Sequence, residues 1–227
     1  MSKMSFKAAL VAAVLPVAAL SAPAAAQVNG MAVTEPAVAV ASSTALQTGF
    51  QQVGTTYAAQ IQQIEQLSQQ RVQLLQTLDT NRNGQIDEAE QAALTETNPT
   101  VVQINTIDQQ ISTAQAPIQL ARLYVVSQVA QQYAAAVQQV IADRGIQVML
   151  SPEAIVYAAD GMDVTALVAT ALNARVPSVT ITPPAGFQPN EAVVNLYQQV
   201  QQVFAMARAQ QQAAAGNAAA QPAVEGR

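Results

Sequence analysis

The stretch from Ile104 to Val140 constrains this chain more than any other. Its apolar residues fall at Ile104, Ile107, Ile111, Ala114, Ile118, Ala121, Val125, Val129, Tyr133, Val137 and Val140. As far as Ala121 the steps alternate three and four, the heptad spacing that lines one stripe of a helix for a partner helix. Asn98 can cap the start, Pro99 fits the first turn, and Gly145 suits a left-handed C′ position at the end. Pro117 lies inside the run; because the seam continues on both sides, a kink is expected there rather than a stop. A second seam, at Val53, Tyr57, Ile61, Ile64, Leu67, Val72, Leu75 and Leu78, predicts a helix from Ala45 to Leu78. Ser42-Ser43-Thr44 supplies hydroxyls able to cap it. Two long helices joined by a short segment fold back as an antiparallel hairpin. Their length and narrow seams favour a projecting coiled-coil arm over a layer of an ordinary bundle.

Composition matters here for what it removes. The chain has no Cys, no His and no Trp, and Lys3 and Lys7 are its only lysines. Beyond residue 26, then, no disulfide, no Cys/His zinc site, no His general base and no Cys or Lys nucleophile can be built. An enzyme is not expected. Scattered Arg on an acidic chain gives no basic patch, so no nucleic-acid partner is expected. Gln and Ala dominate instead, as suits long exposed helices with a thin apolar seam.

Residues 1–26 read as a cleaved signal peptide. Lys3 and Lys7 form a basic start, Ala8–Leu20 an apolar run broken by Pro16, and Ala24-Ala25-Ala26 a small-residue cleavage site. The expected location is the periplasm. No other stretch is long and apolar enough to span a bilayer, so no stable membrane insertion is expected.

The flanks of the hairpin differ from it. Ala37–Ala41 is a β-capable run after Pro36. Ile146–Leu150 reads as a strand, Ala154–Ala159 as a second, with turns at Ser151-Pro152-Glu153 and Asp160-Gly161. Asp163 fits the N-cap of a helix running through Ala174. Strands at both ends of the hairpin would gather its base into a small β body, spanning 37–44 and 145–174, with 45–144 as the arm. The fold class expected is mainly α with a small, short-stranded oligomerisation body. From residue 175 a Pro-containing linker leads to an amphipathic helix at about 190–208, capped by Asn190 and carrying Val193, Leu196, Tyr197, Val200, Val203 and Phe204. The Gln/Ala/Gly tail beyond Arg208 reads as disordered.

This order of elements resembles the Skp/OmpH periplasmic chaperones. The most specific stretch is Tyr133 to Asn173, YAAAVQQVIADRGIQVMLSPEAIVYAADGMDVTALVATALN. Gly145, Val148, Leu150, Pro152, Ala154, Tyr157, Asp163, Val164, Thr165, Leu172 and Asn173 carry it, and the likeness extends over roughly 37–174. The resemblance implies a homotrimer whose β segments join in a central body. Three helical tentacles then surround a cavity that holds unfolded outer-membrane proteins without nucleotide hydrolysis. It also implies basic arms, whereas this chain is acidic.

Residues 79–90, DTNRNGQIDEAE, interrupt the arm with a different pattern. Counting from Asp79, oxygen ligands stand at positions 1, 3, 5, 9 and 12: Asp79, Asn81, Asn83, Asp87 and Glu90. Gly84 occupies position 6, where the chain must turn sharply, and Gln85 at position 7 offers its backbone carbonyl. This is the EF-hand loop pattern, and its hard oxygen ligands favour Ca²⁺. A calcium-binding coiled-coil structural or adaptor protein of the cell envelope is therefore the alternative to the chaperone. It explains the loop equally well and the Gly145–Asn173 likeness less well.

Overall fold

The computed structural model describes residues 30–92, 94–155, 157 and 161–220. Among these the chain is mostly helical with one small two-stranded parallel sheet. The signal peptide expected at 1–26 and the last part of the second expected strand, with Asp160, lie outside the described residues.

The longest element is helix α5, Pro99–Arg144, 46 residues. Its ends are built as the sequence predicts. Asn98 accepts the Thr100 amide at 2.9 Å through Oδ1. Gly145 closes the helix in the left-handed region, at φ 63°, and its N–H donates to the Ile141 carbonyl. The helix runs on through Pro117. The hairpin's other leg is two helices, α2 (Thr44–Thr56) and α3 (Ala58–Leu78), rather than the single one expected. The break falls at Tyr57, directly after Gly54-Thr55-Thr56, three residues of poor helix propensity in a row.

Helix α3 lies along α5 in antiparallel sense. Ile61 and Ile64 face the same cleft as Ile118 and Arg122, whereas Leu74 and Thr77 share a groove with Val102 and Thr106. Between these levels Arg71 Nε donates to Asp108 Oδ1 at 2.7 Å. This pair revises the expected seam: Leu67 and Leu78 are buried, Arg71 and Leu74 stand between them, and Val72 is 51% exposed.

The strands are β1, Met31–Val33, and β2, Val148–Leu150, paired in parallel with Met31 opposite Val148 and Val33 opposite Leu150. Val33 also bridges Asp163 on its other side; its N–H donates to the Met162 carbonyl and its carbonyl accepts from the Val164 N–H, both at 2.9 Å. The first strand is therefore earlier than expected. Residues 37–41 instead belong to helix α1, Pro36–Ala41, with Ala39, Val40 and Ala41 buried. Pro36 explains the correction: at the first helical position it presets the helical φ and lacks only an amide that would be orphaned anyway. The expected second strand at 154–159 is corrected where it is described, because Pro152–Ala154 is a 3₁₀ turn.

Helix α6, Thr165–Arg175, follows, and Asp163 Oδ1 accepts the Thr165 amide at 2.8 Å. The residues that carry the family likeness here clip the N-terminal segment in place. Thr165 Oγ1 accepts from the Glu35 amide at 2.9 Å, and Asn173 Oδ1 accepts from the Thr44 amide at 2.8 Å.

The segment after α6 is packed rather than loose. The Gln128 carboxamide on α5 donates to the Thr180 carbonyl at 2.8 Å and accepts its N–H at 3.0 Å. Tyr124 meets Phe187 edge-on at 4.9 Å. Helix α7 then runs from Glu191 to Ala220, beyond the expected end near 208. Its tail composition, read as disordered, is also rich in Ala and Gln, which are strong helix formers. Val200 is fully buried, and Phe50 of α2 packs edge-on against Tyr197 and Phe204. The core thus sits where α1, α2, α6 and α7 surround the middle of α5.

Close approach at one glycine can be tested against another in the same helix. A Cβ on Gly49 would lie 2.8 Å from methyl carbons of both Val125 and Val179, while nothing lies within 4 Å of one on Gly54. Both replacements gain helix propensity of roughly 1 kcal/mol, but only Gly49→Ala overpacks a rigid core, at a cost of about 1–3 kcal/mol. Urea denaturation should find Gly49→Ala less stable than the parent and Gly54→Ala equally or more stable.

Candidate functional site

Two features lie along the α3–α5 pair, a polar loop and an open groove. The loop, residues 79–87, joins α3 to the one-turn helix α4, Glu88–Gln91. Asp87 begins α4 with a capping box: its Oδ1 accepts the Ala89 and Glu90 amides at 3.0 and 3.1 Å, and Glu90 Oε2 accepts the Asp87 amide at 3.2 Å.

The sequence-assigned residues are drawn into one hydrogen-bonded ring. Asp79 accepts the Asn83 amide at 3.1 Å through Oδ1 and the Gly84 amide at 2.8 Å through Oδ2. Asn81 Nδ2 donates to Asp87 Oδ2 at 2.6 Å, joining positions 3 and 9. Asn83 Oδ1 accepts the Gln85 amide at 2.7 Å. Glu90 Oε1 reaches back to the Thr80 amide at 2.6 Å, the Thr80 hydroxyl at 2.9 Å and the Asn81 amide at 3.1 Å. Gln85 enters the ring through its backbone N–H, not through the carbonyl singled out from its position. The turn needs Gly84, at φ 81°, and puts Arg82 at φ 57°.

Electrostatically the loop rests on Glu90, which is buried while its neighbours are exposed. The Asn81 amide is the main cause of a carboxyl held below the ordinary glutamate value. Desolvation opposes it, and the Thr80 hydroxyl and the Asp87 and Thr80 amides add to it. Among the described residues no three His, Cys, Asp or Glu side chains are gathered as a metal cluster. The loop's acids point their oxygens at backbone amides, and each ionised carboxylate has about four lone-pair sites to offer. Asp79 uses two of them here.

The groove lies between α3 and α5, has a volume of about 490 Å³, and is floored by Leu74, Val102 and Ile107. A second, more polar cleft of about 350 Å³ sits nearer the core between Ile61, Glu65, Gln119, Arg122 and Tyr197. Neither holds a nucleophile with an adjacent base. No helix among the described residues is long and apolar enough to cross a membrane.

The model of the family described as "Outer membrane protein (OmpH-like)" matches residues 35–172, more than half of the chain. The chain belongs to the OmpH-like family. The match begins at the residue before α1, takes in the whole α2–α5 region, and ends inside α6. Strand β1, the strap from Val176 to Asn190 and helix α7 lie outside it. No curated protein and no solved structure matches the chain. Members of this family are periplasmic chaperones and not enzymes, which agrees with a chain that lacks the usual catalytic side chains.

Sequence reasoning reached every ring residue but missed Thr80, whose amide and hydroxyl both serve Glu90. It also missed the groove, because Leu74 stands one position and Val102 two positions off the seams read from the pattern.

At the Thr80 and Asn81 amides the ring depends on one carboxylate, that of Glu90. Glu90 has a lowered value in the folded chain, so its contribution is present above the unfolded value and lost as pH falls through the folded one. In chelator-treated protein, protection of the Thr80 and Asn81 amides from hydrogen exchange, taken relative to the intrinsic rate at each pH, should be high at neutral pH and fall as pH drops below the ordinary glutamate range. Glu90→Ala should exchange fast at both; slow exchange in that variant would mean that the loop is held by something else.

Proposed function

We propose that this chain is a periplasmic holdase that keeps unfolded outer-membrane proteins from aggregating in a space between helical arms. The observation that carries this reading is the OmpH-like match over residues 35–172. The physics of the chain supports it. Holding requires many weak apolar contacts and no reacting group, and the α3–α5 pair presents a long, neutral, partly apolar surface. The pair serves as an arm projecting from a base made of the β1–β2 sheet, α1 and α6. Three copies assemble through that base, with the edge of β2 away from β1, which no other described strand pairs, joining a neighbour; Val148 there is 45% exposed. Export through a cleaved leader at residues 1–26 brings the chain to its clients. The family match weighs against an adaptor built for one folded partner.

The loop at 79–90 is a Ca²⁺ site in this reading. Asp79, Asn81, Asn83, Asp87 and Glu90 would hold the ion through side-chain oxygens and Gln85 through its carbonyl. The ion would supply rigidity between the two arm segments. With three carboxylates and no paired loop, affinity falls toward the weak end, about 10⁻⁴ to 10⁻³ M.

Light scattering of the chain from residue 27 onward should give three chain masses, with or without chelator. The protein should suppress aggregation of several urea-denatured outer-membrane β-barrels as they are diluted into buffer. A monomer that protects none of them removes this reading. Calorimetry with CaCl₂ should show binding heat that Asp79→Ala abolishes; equal heats in parent and variant would remove the calcium site and leave the chaperone standing.

A further inference from the structure

The groove at the outer end of the α3–α5 pair has an unusual rim. Its floor is Leu74, Val102 and Ile107, and its edges are Gln70 and Gln73 on one helix and Gln103 and Gln110 on the other. No charged side chain lines it. The nearby charges, Arg71 and Asp108, are paired with each other. The two threonines in the lining have spent their hydroxyls on their own helices, Thr77 on the Leu74 carbonyl at 2.7 Å and Thr106 on the Val102 carbonyl at 2.9 Å. The four carboxamides make no hydrogen bond to any other described residue. Val102, in the floor, is 48% exposed.

We infer that this groove binds short, extended, uncharged segments of unfolded polypeptide, with its glutamine carboxamides bonding the segment's backbone. The inference rests on the holdase reading and says where and how a client is held. A carboxamide is a peptide group in miniature, one carbonyl acceptor with two N–H donors. Ranged along both edges, such groups satisfy the backbone N–H and C=O of an extended chain whatever its sequence. A strand sends alternate side chains to opposite faces, so every second residue drops toward the apolar floor. Charge complementarity points the same way: a neutral groove penalises charged segments by desolvation and offers them no partner.

Dimensions set the strength. Gln70 to Thr77 rises roughly 10 Å along its helix at about 1.5 Å per residue. An extended chain covers that distance in about three residues. A footprint so short binds weakly and releases readily, and strength then comes from several such footprints on one client.

The test uses the chain from residue 27 onward and a capped, uncharged peptide, N-acetyl-Leu-Ser-Val-Ser-Leu-amide, followed by NMR of the side-chain amides. Signals from Gln70, Gln73, Gln103 and Gln110 should shift together on titration. The apparent affinity should change by less than about twofold over a tenfold rise in salt, because no charges are there to screen. Val102→Asp should weaken binding by about tenfold or more. Val72→Asp is the control, since Val72 is equally exposed, at 51%, on the same helix pair but lines no part of the groove; it should bind as the parent does. Gln103→Met keeps the groove neutral and should also bind more weakly. Unmoved groove signals, or equal loss in the Val72 and Val102 variants, would overturn the groove. Aggregation assays on the same proteins separate the two readings. Protection of denatured β-barrels with silent groove signals leaves the holdase without this site. Groove shifts without protection leave a peptide site and remove the holdase.

Discussion

Everything in this fold depends on the burial of one helical segment from all sides. Between Ile118 and Val140, α5 buries Ala121, Leu123, Val125, Val126, Ser127, Val129 and Ala136. Consecutive residues such as Val125 and Val126 project about 100° apart on a helix, so no single partner could cover both. Helices α1, α2, α6 and α7 supply the cover. At roughly 1.5–3 kcal/mol for each fully buried aliphatic side chain, this segment is where the chain gains most from folding. Nearer Pro99 the helix changes character: Ile104 and Ile107 are buried, three apart, and their neighbours are exposed. One continuous helix is therefore core at one end and a one-sided seam, paired with α3, at the other.

Much of this was legible because helix signals are local. Asn98 with Pro99 and Gly145 mark helix ends by chemistry that needs no tertiary partner, and each is found in that role; Asp163, expected as a cap, stands one residue before the N-cap of α6, which is Val164, and accepts the Thr165 amide. The family likeness was legible for a related reason: Thr165 and Asn173 are polar residues whose use is to hold the segment at Glu35 and Thr44. What was not legible is what depends on distant partners. Ala37–Ala41 alternates well enough for a strand, but Pro36 starts a helix there and burial against α6 and α7 completes it. Val72 fits the seam by spacing and loses its place to Arg71, because Asp108 stands across from it. The pairing of Gln128 with Thr180 leaves no trace in either local sequence. In the loop, all six assigned residues were readable from spacing, while the part played by Thr80 follows only from how Glu90 folds back.

The absence of reactive side chains and the neutrality of the groove are two sides of one chemistry. A surface that contacts many unrelated chains gains from groups that every chain can satisfy. Backbone-like carboxamides and small aliphatic patches are such groups, whereas ammonium and imidazole groups discriminate by charge and by pH. The acidic residues are kept elsewhere. Three of them, Asp79, Asp87 and Glu90, lie in the loop at 79–90, where backbone amides hydrogen-bond their carboxylates, and Asp108 is matched by Arg71.

The register of β1 has a consequence for the life of the chain before it is folded. Met31 meets Val148, and Val33 meets both Leu150 and Asp163, so a three-residue strand near the start waits for partners more than a hundred residues later. Long loops are closed at an entropic cost that grows only slowly with length, but closure still comes late. Because α3 and α5 run back along one another, they shorten that loop from within, and their pairing brings the two ends together. The strand at 31–33 is thus a latch whose partners all lie at 148–163, and the sheet can close only on a chain that includes that stretch.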